Sequence, residues 1–462
     1  MTLTSFNLLL IQSARLGNER QVAIALQQGA QVDTTDAQGT TALMFAAQRG
    51  FSSIVNLLIE NGADVNIHRC EFGTTALMFA AAANRVDVVM QLLNCGADPN
   101  ATNEDGSNAL MGATLAGAGE IVELLLDRGA NVLAIDQDED TALNIAILQS
   151  HSQIVKRLLV AGADIHYRRS DRKTPLLLIS PPGDISILNL LLAAGANPQD
   201  VDSEGDSLLI IAAELGYSHL IKPLLQAGSD IDRPNHEGWT SIIAAAASGN
   251  IDIVRTLLAA GANPNLSSQQ GETALHLASI EGDSDLIQLL LEHGSKTDII
   301  TNLGDTPLVL ATLHGHTAAV AVILATNPDL TIHQQGTTAL GMAVVNRNIE
   351  IAQLLLAQGI SADLVLKNRQ TPLIIASIYG ELELVRSIIA ATANLNLQDD
   401  SGATALMWAT HRKHHRILEL LLNVGVDRTL KNQGGLTALD LAEMNRDRFA
   451  IDLLTQRDDL NL

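Results

Sequence analysis

Aromatic residues are scarce in this 462-residue chain: two Trp, three Tyr and six Phe, 2% of the whole. Small and aliphatic side chains must fill its core, and the 47% hydrophobic fraction is ample for that. Cysteine is nearly absent. Cys70 and Cys95 alone do not make a disulfide framework, and two free thiols in a cytoplasmic protein are expected instead. Basic residues are also few, with 28 Lys and Arg against 51 Asp and Glu and a net charge of −23. That balance disfavours nucleic acid, whose phosphates call for Lys/Arg surfaces, and it disfavours anionic membranes. It favours a basic or polar partner. No apolar run reaches the roughly 18–20 residues that span a bilayer. The start, MTLTSFNLLLIQSARLGNERQ, has no basic residue ahead of its apolar stretch, so no secretion signal is expected. Motifs of catalysis are missing too: there is no P-loop, dinucleotide glycine motif, HExxH, CxxC or nucleophile elbow.

What the chain does have is a period. Leu10, Leu43, Leu77, Leu110, Leu143, Leu176, Leu209, Ile242, Leu275, Leu308, Leu340, Leu373, Leu406 and Leu439 are spaced by 33 residues, apart from one interval of 34 and one of 32. A constant spacing of this length marks a solenoid, and solenoids mostly bind along an extended surface. Although the length would allow two or three globular domains, the unbroken period points to one continuous domain over residues 1–462.

One unit shows the local logic. In DAQGTTALMFAAQRGFSSIVNLLIENGADVN (36–66), apolar residues recur at helical spacing over Thr41–Arg49 and Gly50 stops the run. A second run includes Ile54, Val55, Leu57, Leu58 and Ile59, and Gly62 stops it. Each unit therefore reads as a helix, a tight turn, a second helix and a hairpin-like loop. Relative to the marker position, Gly stands four residues before it in ten units, and Thr two before it in eleven. Ala stands three residues after it in twelve, and Gly nineteen after it in eleven. The Thr can cap the first helix, the Ala lets helices approach, and the second Gly suits a left-handed C-terminal cap. Helices of about 8–10 residues fall short of the ~12–15 at which an isolated helix becomes even marginal, so stacking must stabilise every unit.

The pattern D-x-x-G-x-T-x-L-x-x-A-A-x-x-G followed by I-V-x-x-L-L-x-x-G-A-D-x-N resembles the ankyrin repeat. DAQGTTALMFAAQRG (36–50), QQGETALHLASIEG (269–282) and LGDTPLVLATLHGH (303–316) carry it most clearly. The resemblance covers about fourteen units and implies an all-α helical solenoid that binds other proteins and is not an enzyme. Residues 1–35, with Leu8 where Thr is usual, are expected to form an N-terminal cap, 36–430 the internal repeats, and 431–462, ending in TQRDDLNL, a C-terminal cap. Pro181-Pro182 should shorten the first helix of repeat six. Asn327-Pro328, followed by a loop one residue short, should alter the stacking angle after repeat ten.

The resemblance also implies where binding occurs: on hairpin tips and the exposed side of the first helices. The tips of repeats four to ten hold Glu104, Asp105, Asp138, Asp140, Asp171, Glu204, Asp206, Glu237, Glu272 and Asp305, opposed by Lys173 alone. Gln334, Gln335, Asn368, Gln370 and Gln433 make later tips mainly neutral, with Lys367 and Asp400 as exceptions. Beside them, Leu115, Leu148, Leu215, Ile280, Leu313, Ile378 and Tyr379 are expected on exposed first-helix positions, with Trp239 and Phe72 on tips. Trp408 occupies a position that is apolar in most units and is expected in the core. His411, His414 and His415 have a spacing that could clip a metal, but His is common in the family at this turn, and no metal or cofactor is expected. Cys70 and Cys95 are read as structural.

Apolar contacts beside a row of acids suit a basic or amphipathic segment of another protein. A scaffold is the leading expectation. An inhibitor or immunity-type protein blocking a basic effector is one alternative, and an enzyme or metal-binding repeat protein is another.

Overall fold

In the computed structural model, residues 3–179, 183–330 and 338–455 are described. They form fourteen successive helix pairs and, among the described residues, no strand. The pairs run from Leu3–Leu16 with Glu19–Gln27, through Ala42–Arg49 with Ser52–Glu60, to Ala438–Met444 with Arg448–Thr455. The protein is an all-α repeat solenoid. By contact density the chain divides into two units, Met1–Ala212 with Tyr217–Asp230, and Ala213–Gly216 with Ile231–Leu462.

The caps explain where each first helix begins and ends. Thr41 is extended (φ −83°, ψ 164°), and its Oγ1 accepts the Met44 N–H at 3.2 Å. Thr141, Thr306, Thr371 and Thr404 act in the same way toward Asn144, Val309, Ile374 and Met407. At the other end Gly50 turns left-handed (φ 80°) and donates to Ala46 O at 2.9 Å.

Packing follows the period. Thirteen of the fourteen marker residues are at most 3% exposed, and Leu439 is half-buried. All twelve alanines three positions beyond the marker have no exposed surface. Within each unit, first helices stack on first helices: Ala42–Arg49 on Ala76–Ala82 in one, Ala274–Glu281 on Pro307–Leu313 in the other. Only a small side chain fits between backbones this close.

Polar bridges extend the stacking into the loops. Asn66 Nδ2 donates to Gly96 O at 3.1 Å while its Oδ1 accepts the Asp98 N–H at 2.8 Å. Asn100 and Asn265 repeat the device one register on, to Gly129 and Asn131, and to Gly294 and Lys296. Hairpin tips are also joined by backbone bonds, such as Gln137 N–H to Asp105 O at 2.8 Å and Gln269 N–H to Glu237 O at 2.7 Å. Gly238 makes one such approach possible: it has φ 80°, and a Cβ there would lie 2.9 Å from Gln269 N.

Repeat six departs as expected. Its first helix is a four-residue 3₁₀ turn, Pro175–Leu178, and Ile179 leaves it at ψ 108°; Pro181-Pro182 themselves lie outside the described residues. Asn327 takes the left-handed place usually held by Gly, with φ 52°. The loop that follows it, with Gln334, Gln335 and the expected change in stacking angle, lies outside the described residues, as does the C-terminal sequence after Thr455.

Ala113, in the helix Ala109–Leu115, is one of the twelve. Ala113→Leu is predicted to lower stability in urea unfolding by about 1–3 kcal/mol through overpacking. The loss of amide protection should centre on the pairs flanking that helix, because the contacts are nearest-neighbour. An unchanged unfolding curve would contradict this packing.

Candidate protein-interaction surface

Most described hairpin tips are curled by a side chain at their base. Asp202 Oδ1 accepts the N–H groups of Glu204 and Asp206 at 3.0 and 2.9 Å, and Asn235 Oδ1 those of Glu237 and Trp239 at 2.9 and 2.8 Å. Asp136 Oδ1 holds the Asp140 N–H at 2.8 Å. This geometry leaves Glu104, Asp105, Asp138, Glu204 and Glu237 exposed, while Asp140, Asp206, Trp239, Glu272 and Asp305 are half-buried. Burial raises the Asp305 carboxyl above its usual range. Asp136 is raised as well, by burial first and then by the neighbouring Asp140 and Asp138 charges, against hydrogen bonds that lower it.

The acidic row is less uniform than the sequence suggested. Arg169, from the next loop, pairs with Asp140 and lies 3.8 Å from Asp171, and Arg168 pairs with Asp200 at 2.6 Å. Lys173 is therefore not the lone opposing charge, and Asp140 already has a cation of its own. The pairing joins loops one repeat apart, which counting charges loop by loop does not show.

At the C-terminal ends of the first helices, Leu115 is 59% exposed, and Leu148, Leu313 and Tyr379 are exposed as well. Leu215, which follows the helix Leu208–Glu214, is 52% exposed, and Phe72 projects from its tip. Ile280 and Ile378 are corrected: both are half-buried. His316 Nε2 donates to Ile280 O at 2.8 Å and His414 Nε2 to Ile378 O at 3.1 Å. Those rings pack against Gly282 and Gly380, closing over the helix ends. Val345, exposed at the equivalent position, escaped the sequence reading.

Trp408 is also corrected. It is half-buried, not core, and its Nε1 donates to Asp399 Oδ2 at 2.8 Å. Burial would raise the Asp399 carboxyl, but hydrogen bonds from Ser401, Trp408 and Ala403 outweigh it and hold the group below its ordinary value. The Trp408 ring, with Tyr379, Ile378, Ile375, Val345 and Arg412, lines a recess of about 200 Å³, and the Arg412 guanidinium lies 5.9 Å from the ring centroid. In the other unit a recess of about 270 Å³ is lined in part by Arg15, Phe45, Arg69 and Phe79. The signal was available: Phe and Trp are oversized for a row that elsewhere holds mostly Ile, Leu and Met, with the smaller Gly112 and Ala244.

The histidines do not converge. His411 meets Trp408 edge-on, His414 reaches Ile378 O, and His415 Nε2 is 2.7 Å from Asp447 Oδ2. Asp202, Glu204 and Asp206 could bring three oxygens within 4.8 Å of one another for a cation. Backbone N–H groups already occupy Asp202, and such acidic loops are common without an ion. Cys70 and Cys95 are free and exposed. No helix among the described residues is long and apolar enough to cross a membrane.

The chain belongs to the ankyrin-repeat family. The family model for ankyrin repeats, three copies to a match, covers residues 10–103, 87–171, 176–268, 249–334, 325–399 and 373–462. The chain is 42% identical over 78 residues to the rat Ankyrin repeat and SAM domain-containing protein 6, covering 17% of this chain and 9% of that one. It is 35% identical over 114 residues to an ankyrin repeat-containing protein of Treponema pallidum (strain Nichols), covering 24% and 38%. It is 30% identical over 148 residues to XBAT31 of Arabidopsis thaliana, named as a proposed E3 ubiquitin-protein ligase, covering 29% and 32%. The chain thus spans less than two fifths of each of these relatives. Ankyrin repeats generally mediate protein–protein interaction, and the family is generally non-catalytic.

One buried group gives the surface a pH limit. His276 is fully buried; its Nδ1 accepts the Thr273 N–H at 3.1 Å and its Nε2 donates to Asp305 O at 3.2 Å. Burial lowers its pKa from 6.5 to about 4, against hydrogen bonds that favour the charged form. The unfolded chain therefore binds the extra proton first. The stabilisation is complete above pH 6.5 and is lost as pH falls toward 4. Between pH 7.5 and 5 the wild type should lose roughly 2 kcal/mol in urea unfolding that His276→Leu does not lose. Equal losses in both proteins would contradict the assignment.

Proposed function

We propose that the chain is a non-enzymatic interaction protein or scaffold that binds a basic or amphipathic segment of another protein. The observation that carries this reading is the pairing, on single first helices, of a carboxylate tip with an exposed aliphatic end. Glu104 and Asp105 stand in the loop that enters the helix Ala109–Leu115, and Leu115 ends it; Asp138 and Leu148 bracket the next first helix, Ala142–Leu148. Carboxylates raise the encounter rate and select for positive charge, while apolar contact holds the complex. Glu204, Asp206, Leu215, Glu237, Trp239, Glu272, Ile280, Asp305, Leu313, Ile378 and Tyr379 contribute in the same two roles, with Asp140, Asp206 and the half-buried residues contributing less. The unbroken period supports a single continuous domain over 1–462 with caps at 1–35 and 431–462, and two free cysteines support a cytoplasmic setting.

Surface plasmon resonance against an amphipathic peptide of about 20 residues, Lys on one face and Leu on the other, tests the reading. Glu104→Gln, Asp105→Asn, Asp138→Asn and Glu204→Gln together should slow association. The effect should vanish near 1 M salt, where the Debye length is about 3 Å. Leu115→Ser with Leu148→Ser should speed dissociation with little dependence on salt. If both sets behave as wild type, the segment binds elsewhere and the reading fails.

A further inference from the structure

The last two repeats gather their positive charge in one place. Their inter-helix turns carry Arg412, Lys413, Arg416, Arg446 and Arg448, all exposed, in a protein of net charge −23. The two turns lie side by side. Asn445 Nδ2 donates to His411 O at 3.4 Å, and the His415 and Phe449 rings are 4.7 Å apart. Of the two acids in 411–416 and 443–449, Asp447 is buried against His415 and Glu443 alone is exposed. None of the five cations forms an ion pair with a described carboxylate.

Arg412 links this basic edge to apolar surface. It lines the recess of about 200 Å³ that also holds Tyr379 and Trp408. Met444, 68% exposed, and Phe449 widen the apolar area beside the turns. The recess is smaller than the ~300 Å³ at which cofactor pockets begin, and it matches one inserted side chain. Asp399 holds the Trp408 indole in place at 2.8 Å, so the wall of the recess is set before anything binds.

We propose that this end of the array is a second docking surface, for an acidic segment of another protein that inserts an aromatic or aliphatic side chain beside Trp408. The carboxylates of such a segment would meet Arg412, Lys413 and Arg446, while its anchor leaves water. A nucleic-acid strand fits less well. Its phosphates continue past the patch onto a strongly anionic protein, and its affinity depends on neutralising many of them. The surface shares Ile378 and Tyr379 with the reading above but selects the opposite charge through Arg412 and Arg446, so substitutions of the tip carboxylates and of these arginines test the two readings separately.

The test is selection of random displayed peptides of about 12 residues on the immobilised full chain. The expected result is a class with Asp or Glu flanking one aromatic or aliphatic residue. A labelled member should bind at least about tenfold more weakly to Arg412→Glu/Arg446→Glu, and less weakly to Arg412→Gln/Arg446→Gln. Both pairs change exposed side chains, and circular dichroism would verify folding. In a Trp239→Phe background the same peptide should shift the emission of Trp408, and neutralising the tip carboxylates should leave its affinity unchanged. The proposal is overturned if no acidic class emerges, or if its binding ignores Arg412 and Arg446. It is also overturned if a poly-dT strand binds this end more tightly than the peptide, or if the full chain self-associates through it.

Discussion

Helices of seven to nine residues cannot hold their shape in water, and nearly every helix of this chain is that short. Contact between neighbouring repeats is therefore the interaction on which the rest depends. It explains why twelve alanines are wholly buried at one register position. It also explains why Asn66, Asn100 and Asn265 each bond to the following repeat in two directions. Even the histidines fit this account: His316 and His414 each give an Nε2 N–H to the first helix of the preceding repeat. Stability assembled in this way is a sum of local terms, and each repeat keeps a few positions that the stacking does not use.

Those positions are the tips, the last residue or two of each first helix, and the inter-helix turns, and this chain has distributed charge among them unevenly. Exposed carboxylates occupy tips such as Glu104, Asp138 and Glu204, whereas the turns of repeats thirteen and fourteen hold five unpaired cations. A single sign over every free position would have been enough to keep the protein soluble. Under the two proposals above, this uneven distribution serves recognition.

The fold was legible in the sequence because its signals repeat. A lone Thr before an apolar run is weak evidence of a cap, but eleven at one register position are strong, and Thr41, Thr141 and Thr371 do cap their helices. The shortened helix of repeat six could be read from its prolines, because their effect is local. The surface was legible only in part. Asp140 looked free because its partner, Arg169, lies 29 residues away in the next loop. Ile280 and Ile378 looked exposed because periodicity gives direction and says nothing of what the following repeat lays over it. Trp408 looked like core because its row is usually aliphatic; a ring of that size cannot fit between the stacked backbones, and Asp399 holds its indole N–H at the edge.

The central claim is that recognition uses the side chains that stacking leaves free. Hydrogen exchange followed by mass spectrometry, on the full chain with and without a saturating bound peptide, tests it most directly. Added protection should appear at the tips around 103–107, 136–140 and 202–206 for a basic peptide, and at the turns 411–416 and 443–449 for an acidic one. Protection confined to second helices such as Ser152–Val160, with tips and turns unaffected, would contradict the account.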